Sequence, residues 1–501
     1  MRLRFLGAAR TVTGSQYLLQ LPSFSALVDC GMYQGHDAVL AENARRFSFD
    51  PAKLDFVLLT HAHIDHCGLL PRLWKLGFRG RIYCTSATRD LCEVMLADSA
   101  KIQEEDAVWE MRKWRRGQQA TPPPAPLYTV EDAAAVMEHF VPVEYDADVK
   151  VNNDLSCRWV DAGHILGAAS LEVWVSQDGV RRKIAFSGDL GTPGRPILRD
   201  PTFIDSADFV VIESTYGNRA HPPEEEVQRK LTDAITRTVR AGGHVIVPAF
   251  AVGRTQDLLY RLDRLLEAGK IPKVPVFVDS PLASRATKVF ERHHECYDAD
   301  ALRMLASGDN PIRFPLLRFT ESVAESQALN ELKSPAIIIS ASGMCNAGRV
   351  RHHLHHHIEH GNDTVLFVGF QAQGTLGRFI VEGAQMVKLF GRTHRVRARI
   401  VSIRGLSAHA DQKELMNWSR HFNGTRTFFV THGEEEAALS FAKLLSAEPN
   451  RKVCVPTLGE EVNLLDEAAL DRARELTAAE LARFVPPAEK PRQPTVEPEE
   501  V

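Results

Sequence analysis

The sequence predicts an α/β protein, because short apolar runs alternate with amphipathic stretches along most of its length. The runs are bounded by Gly, Pro and Asp, and several lead directly into a helical pattern, as after Arg254 and Gly433. Repeated strand-then-helix order is typical of α/β folds. The first 30 residues differ, since they indicate paired strands separated by turn residues. The predicted buried strands lie within 54–60, 208–213, 244–250, 274–279, 336–341, 364–370, 397–403 and 426–432.

Length and charge limit the class of protein further. A chain of 501 residues exceeds one ordinary core, so we expect more than one domain. Its 60 Lys and Arg against 64 Asp and Glu exclude a globally basic nucleic-acid-coating protein, but not an enzyme that uses local patches and metal ions. Eight scattered Cys without a CxxC pair indicate reduced thiols in a cytoplasmic protein. No membrane partner is expected, because no window approaches the roughly 20 apolar residues of a membrane helix.

A histidine-rich string directly follows the predicted strand at 54–60. It supplies His61, His63, Asp65 and His66 within six residues. A strand that ends in a tight loop can turn all four side chains toward one point, and imidazoles and carboxylates suit zinc or manganese. Burying such a cluster without a cation would cost free energy. The string therefore predicts a metal centre.

Three further candidate ligands stand at the ends of other predicted strands. His164, Asp189 and His432 each follow an apolar run and lie beside Gly, which lets the backbone bend toward a shared site. Any one of them alone could equally be a surface or core residue. Together with the loop after 54–60 they predict a site for two metal ions.

Three strings around this predicted centre resemble the metallo-β-lactamase superfamily: HAHIDH at 61–66, GH at 163–164 and SGDLG at 187–191. Three later strings resemble motifs A, B and C of its β-CASP branch: VIESTYGNR at 211–219, SAHAD at 407–411 and THGE at 431–434. That branch includes the mRNA 3′-end-processing endonuclease and the bacterial and archaeal RNases. The prokaryotic stand-alone RNases are the most similar group.

The resemblance implies the fold and its division. We expect a metallo-β-lactamase αββα sandwich with an inserted α/β β-CASP domain. The expected parts are a first lactamase part at 1–213, the β-CASP domain at 214–404, a second lactamase part at 405–480 and a disordered tail at 481–501. The tail is Pro- and Glu-rich with few apolar residues.

The resemblance also implies the metal ligands. It predicts two Zn²⁺, with Mn²⁺ as an alternative. One ion takes His61, His63 and His164, the other takes Asp65, His66 and His432, and Asp189 bridges both. Two divalent ions can neutralise the charge of a phosphodiester and acidify water at neutral pH.

Four residues are implied in catalysis beside or within the ligand set. His409 of motif B is the expected general acid, and Glu213 of motif A holds its imidazole. Asp65 acts as a metal ligand, and Asp29 is a carboxylate that orients the ligand loop. Structural roles remain open as alternatives for three of these residues: an ion pair for Glu213, a surface or helix-capping position for His409, and a turn cap for Asp29.

Five residues of the insertion are the expected substrate contacts: Arg254, Ser342, Gly343, Arg349 and Thr375. The loop that holds Ser342 and Gly343 follows a predicted strand, and such a loop can present backbone N–H groups to an anion. Six His follow within 352–360. They fall on different helix faces, so we expect a polar groove lining rather than a further metal site.

The implied activity is endonucleolytic hydrolysis of single-stranded RNA, and additional 5′-to-3′ exonucleolytic cleavage is left open. The implied products carry a 5′-phosphate and a 3′-hydroxyl. The alternatives are a small-molecule hydrolase of the superfamily, a DNA nuclease of the DNA-repair branch, and an inactive scaffold. The large insertion argues against a small substrate, and His432 favours RNA over DNA. A homodimer is expected from the family. Residues 101–128 are expected to pack as a cap, with a basic RNA-contacting face as the alternative.

Overall fold

The computed structural model describes residues 1–484 except 36, 119, 370 and 373. Before the insertion the strands are β1 (Arg2–Phe5), β2 (Tyr17–Gln20), β3 (Ser25–Val28), β4 (Phe56–Leu58), β5 (Arg81–Thr85), β6 (Phe140–Val143), β7 (Val149–Lys150), β8 (Leu155–Asp161), β9 (Ala169–Gln177), β10 (Val180–Phe186) and β11 (Phe209–Ile212). The helices of this part are α1 (Asp37–Leu40), α2 (Ile64–Cys67), α3 (Leu70–Lys75), α4 (Ser86–Arg115) and α5 (Val130–Val136).

The middle of the chain carries its own strands and helices. Its strands are β12 (Val245–Pro248), β13 (Val276–Asp279), β14 (Leu317–Phe319), β15 (Ile337–Ser340), β16 (Thr364–Phe367), β17 (Met386–Leu389), β18 (Arg392–Arg395) and β19 (Arg399–Ser402). Its helices are α6 (Glu224–Arg240), α7 (Arg254–Glu267), α8 (Pro281–Phe290), α9 (Ala299–Ala306), α10 (Val323–Leu329), α11 (Val350–His357) and α12 (Leu376–Val381).

The last part returns to the first. It contains α13 (Gln412–Arg420), β20 (Thr427–Val430), α14 (Glu435–Ala447), β21 (Val453–Cys454), β22 (Glu461–Asn463) and α15 (Glu467–Arg483). The predicted tail at 481–501 begins inside α15, and its residues 485–501 lie outside the described residues. None of the described helices combines the length and apolar character that a membrane crossing requires.

Two sheets pack face to face in the lactamase-like part. Their strand orders are β22-β1-β2-β3-β4-β5-β6 and β21-β20-β11-β10-β9-β8-β7. Phe5, Trp159 and Phe429 belong to the apolar layer between the sheets, and none of the three is exposed. Helices α3, α4 and α5 cover the outer face of the first sheet, while α13 and α14 cover that of the second. The result is four layers, α, β, β and α.

The third sheet, β14-β13-β15-β12-β16-β19, is parallel throughout. Val245 and Val247 of β12 pack on one face and Ile246 on the other, which is why this strand reads as an unbroken apolar run. All its strands fall inside 214–404. The chain leaves the second sheet from β11 and returns in β20, which is paired with β11 in parallel, so both ends of the insertion lie at one place.

Candidate active site

The predicted ligands gather at the carboxyl ends of lactamase strands. His61 follows β4, His164 follows β8, Asp189 follows β10 and His432 follows β20. Carboxyl ends of neighbouring parallel strands meet at one sheet edge, where ligands bind in α/β folds. The turn before His164 requires glycine, because Gly163 has a φ of +63° and an added Cβ would lie 2.7 Å from Pro201.

The first cluster consists of His61, His63, His164 and Asp189. Nδ1 of His63 lies 3.1 Å from Nε2 of His61 and 3.1 Å from Nε2 of His164. Oδ2 of Asp189 lies 3.4 Å from Nε2 of both His61 and His164. Tetrahedral zinc with ligand bonds of about 2.0–2.1 Å separates its ligands by about 3.3 Å. The four atoms therefore have the spacing of a zinc site.

The second cluster consists of Asp65, His66 and His432, with Asp189 beside it. Nε2 of His66 lies 3.0 Å from Nε2 of His432 and 3.3 Å from Oδ1 of Asp189. Oδ2 of Asp65 lies 3.7 Å from Nε2 of His432. Asp189 thus presents one carboxylate oxygen to each cluster, which is the arrangement of a bridging ligand.

Both clusters have the chemistry of ligands rather than of a hydrogen-bonded core. Oδ1 of Asp189 and Nδ1 of His164 are buried and form no hydrogen bond within the described residues. Burial lowers the pKa of His61 to about 3 and that of His63 to about 4, so these imidazoles are neutral, as metal ligands must be. Facing ring nitrogens cannot all donate to one another, and a cation satisfies them together. The residues present therefore fit two zinc ions.

Asp29 is placed to orient the ligands. Its Oδ2 accepts a hydrogen bond from Nδ1 of His66 at 2.7 Å, and its Oδ1 accepts one from the backbone N–H of Thr60 at 2.9 Å. Oγ1 of Thr60 in turn lies 3.0 Å from Nδ1 of His61. A carboxylate that holds the far nitrogen of a ligand histidine fixes the orientation of its ring.

His409 and Glu213 form a pair at the edge of the clusters. Nδ1 of His409 lies 3.1 Å from Oε2 of Glu213 and 3.8 Å from Oδ2 of Asp189. Glu213 is buried and its Oε1 also accepts the N–H of Leu190 at 2.7 Å. Burial opposes a charged imidazole, but the carboxylates of Glu213 and Asp189 outweigh it and raise the pKa of His409 to about 9. The two carboxylates therefore favour the protonated form of His409, which is the form that a general acid requires.

Two residues that were not predicted, Arg195 and His221, hold the loop of His409. One guanidinium nitrogen of Arg195 donates to the carbonyl of Ser407, and another donates to Oδ2 of Asp257 on α7 at 2.5 Å. Nε2 of His221 lies 2.9 Å from the carbonyl oxygen of His409. Arg195 thereby links the insertion to the His409 loop. Its partners are remote in the chain, so no local signal could have identified it.

Most of the predicted substrate contacts, unlike the cluster residues, already form hydrogen bonds with other residues of the chain. Arg349 donates to Oδ1 of Asp279 at 2.7 Å and to the carbonyl of Glu321 at 2.6 Å. Thr375 is fully buried and caps α12 by accepting the N–H of Arg378 at 3.2 Å.

The other three predicted contacts differ from one another. Oγ of Ser342 donates to the carbonyl of Ala347 at 3.2 Å, and an added Cβ on Gly343 would lie 2.9 Å from the ring of Phe250. Arg254 is buried beside Asp257, with its Nε unpartnered within the described residues. These roles in substrate binding stay predictions.

Two of the six His in 352–360 are buried against carboxylates. Nε2 of His353 lies 2.7 Å from Asp279, and Nδ1 of His357 lies 2.7 Å from Asp363. His357, His360 and Asp363 also lie close enough to form a third potential ligand group, of which His360 is exposed. The expectation of a polar groove lining is therefore wrong for His353 and His357, which are buried.

Comparison with known families covers nearly the whole chain. Residues 9–249 match the metallo-beta-lactamase superfamily, residues 255–380 match the Beta-Casp domain, and residues 393–456 match the Zn-dependent metallo-hydrolase RNA specificity domain. The chain belongs to the metallo-β-lactamase superfamily, in the branch that carries a β-CASP domain. This confirms the predicted family and fold class, and the use of zinc is confirmed at the level of the family.

Similar proteins are known in bacteria and archaea. Ribonuclease TTHA0252 of Thermus thermophilus is 36% identical over 92% of this chain and 100% of its own length. Transcription termination factor FttA of Methanosarcina mazei is 30% identical over 88% of this chain and 68% of its own length. A solved protein of unknown function from Enterococcus faecalis V583 shares the fold, with a TM-score of 0.50, 13% identity and coverage of 92% of this chain and 99% of that one.

Proposed function

We propose that the protein is a zinc-dependent ribonuclease that hydrolyses phosphodiester bonds of single-stranded RNA. The observation that carries this proposal is the position of His409, held by Glu213 at 3.1 Å and standing 3.8 Å from the carboxylate that joins the two ligand clusters. A proton donor beside two cation sites is what phosphodiester hydrolysis requires. The match to an RNA specificity domain over 393–456, which includes His409 and His432, supports RNA as the substrate.

The roles of the side chains follow from their contacts. His61, His63 and His164 would hold one zinc, Asp65, His66 and His432 the other, and Asp189 would bridge them. When bound, such ions neutralise the charge of the phosphodiester and acidify water at neutral pH.

The protein itself supplies orientation and the proton. Glu213 occupies Nδ1 of His409, so the other ring nitrogen, Nε2, is the atom that delivers a proton to the departing oxygen. No hydrogen bond engages Nε2 among the described residues. Asp29 keeps the ring of His66 in place from behind. The expected products are a 5′-phosphate and a 3′-hydroxyl.

The insertion is the proposed substrate-binding half of the enzyme. Arg254 is buried and its Nε lacks a partner within the described residues, while burial and the nearby Arg195 lower its pKa to about 10. A buried cation with an unpartnered nitrogen suits a phosphate group. We further propose that the protein acts in the cytoplasm and that it forms a homodimer. Sedimentation of the purified chain would test the homodimer.

The test is cleavage of labelled oligonucleotides of one sequence, as RNA and as DNA, by wild type and by Asp189→Asn. The proposal predicts that wild type cuts the single-stranded RNA and that Asp189→Asn does not, because the bridging carboxylate is lost. Cleavage of DNA alone would move the assignment to the DNA-repair branch. Cleavage of RNA by Asp189→Asn at the wild-type rate would contradict the mechanism. Substrates with 5′-triphosphate or 5′-monophosphate ends separate internal from 5′-to-3′ cutting.

A further inference from the structure

The second half of α4 leaves the body of the protein and exposes aromatic and basic side chains. Leu91, Leu96 and Ala100 in the first half are fully buried, whereas Trp109 is 56% exposed and Trp114 is 38% exposed. Residues 109–116 contain four cations, Arg112, Lys113, Arg115 and Arg116, against one acid, Glu110. The expectation that residues 101–128 pack as a cap is therefore wrong for residues 109–116, whereas Tyr128 at the end of the segment is fully buried.

The start of α4 is fixed beside the metal clusters. Oγ1 of Thr85, the N-cap, and Oγ1 of Thr88 both donate to the carbonyl of Gly167, at 2.7 and 2.8 Å, in the loop that carries His164. Asp98 then pairs with Arg285 of α8 at 2.8 Å, which ties the middle of the helix to the insertion. With a rise of about 1.5 Å per residue, Trp109 lies about 35 Å along the helix from its start at Ser86. The helix thus runs from the site to an exposed tip.

The surroundings of Trp109 identify what the tip can bind. Its four nearest neighbours on the same helix face, at spacings of three and four, are all charged: Glu105, Asp106, Arg112 and Lys113. At a spacing of seven the neighbours are Arg116 and the apolar Ile102. Nζ of Lys113 lies 3.1 Å from the centroid of the Trp109 ring. Interface cores between proteins are depleted of Lys, Glu and Asp, so a ring whose four nearest neighbours are charged is a poor core for protein association.

The same arrangement suits single-stranded nucleic acid. Such proteins combine cations that follow the phosphates with aromatic rings on which bases stack. Arg112, Arg115 and Arg116 are exposed and form no side-chain hydrogen bond or ion pair with any other described residue, so their charges are available.

We propose that residues 109–116 of α4 are an RNA-binding arm that holds single-stranded RNA about 35 Å along the helix from its anchored start beside the metal clusters. In this arm Trp109 stacks on a base, and Arg112 and Arg116 contact phosphates. This inference rests on the proposed ribonuclease function. It assigns the arm to long substrates only, because an RNA that fills just the catalytic cleft does not reach the tip.

The test compares Trp109→Ala and the double variant Arg112→Ala/Arg116→Ala, in the full chain and in a His409→Ala background that keeps RNA intact. Ile102→Ala is the matched control, because it is 42% exposed on the same helix but lies outside the cationic group. Dissociation constants are measured for a long unstructured RNA and for one of about 4 nucleotides, the smallest single-strand site size. Thermal unfolding of each variant shows that the fold is retained.

Trp109→Ala is expected to weaken binding of the long RNA about tenfold. The double Arg variant is expected to reduce the slope of log K against log salt by about 1.4, since each phosphate contact on a single strand contributes about 0.7. Neither variant should change binding of the short RNA, and Ile102→Ala should bind both like wild type.

Equal affinities and equal salt slopes for all variants would overturn the arm while leaving the ribonuclease intact. If Trp109→Ala and Ile102→Ala instead both turn a dimer into a monomer without changing RNA affinity, the surface belongs to a second copy of the chain, and the proposal is wrong. Wild-type protein that neither binds nor cuts either RNA would overturn the proposed function itself.

Discussion

The two metal clusters and the predicted substrate contacts Arg349 and Thr375 were both identified from strings that resemble family motifs, but their side chains are in opposite situations. In the clusters, Oδ1 of Asp189 and Nδ1 of His164 are buried without hydrogen bonds among the described residues. Arg349 and Thr375, in contrast, have their polar atoms engaged with protein partners. An unsatisfied buried polar group carries a free-energy cost, which a bound ion or ligand can offset.

The difference teaches how a functional residue is distinguished from a residue that maintains the fold. Asp279 shows the second kind: it is fully buried and accepts hydrogen bonds from Thr320, Ser326, His353 and Arg349. Its charge is compensated without any ligand. Substitutions in the two regions should accordingly change different observables, activity in the first and stability in the second.

The largest effect is expected at the proton donor. His409→Ala should slow RNA cleavage by about 10²–10⁴-fold, because the departing oxygen loses its positioned acid. Zinc content should stay at the wild-type level, since His409 is not among the proposed ligands. Single-turnover rates with metal analysis on the same sample measure both. His421→Ala is the control, because this half-buried histidine stacks on Phe203 and belongs to neither cluster. Equal rates for both variants would remove His409 from the mechanism.

A smaller effect, on stability, is expected at Asp279. Asp279→Ala leaves Arg349 and His353 without their carboxylate, and breaking a buried charge pair costs about 3 kcal/mol. Urea unfolding measures this cost, and Asp300→Ala, an exposed ion-paired carboxylate, should cost little. If Asp279→Ala were as stable as wild type but bound RNA more weakly, Asp279 would act in ligand binding, as the cluster residues do, and not in maintaining the fold.

The pH dependence at Asp279 has a definite sign. Burial opposes its charge, but hydrogen bonds from His353, Ser326, Thr320 and Arg349 outweigh burial and hold the pKa below its usual range. The contribution of ionised Asp279 to the free energy of unfolding is therefore fully present above the ordinary Asp pKa of about 3.9. It is lost as the pH falls through the folded-state pKa of Asp279. The stability gap between wild type and Asp279→Ala should narrow below about pH 4.

The smallest effect is expected at Thr375. Thr375→Ala removes the cap of α12 and should cost about 1 kcal/mol of unfolding free energy. RNA affinity should remain at the wild-type value if capping is its whole role. Loss of affinity without loss of stability would instead support the substrate contact that the family resemblance predicts.

The fold and the ligands could be predicted from sequence because both depend on local patterns. β4, β11, β12 and β20 lie inside predicted apolar runs. The ligand strings follow β4 and β20, and Glu213 follows β11. Arg195 could not be predicted, since its partners Ser407 and Asp257 are 212 and 62 residues away. The segment 101–128, treated as one unit in the sequence analysis, does not begin at a structural boundary. α4 runs unbroken from Ser86 to Arg115, because a change in charge does not interrupt a helix when no Gly or Pro intervenes.

The central claim is that Asp189 joins two zinc sites, and counting metal tests it most directly. Zinc per chain is measured by elemental analysis after dialysis, for wild type and for Asp189→Asn, with circular dichroism to confirm that both are folded. The account predicts two zinc ions per wild-type chain and fewer in Asp189→Asn, because both clusters lose a ligand. A wild-type chain with a single ion, or an Asp189→Asn chain that keeps two, would contradict it.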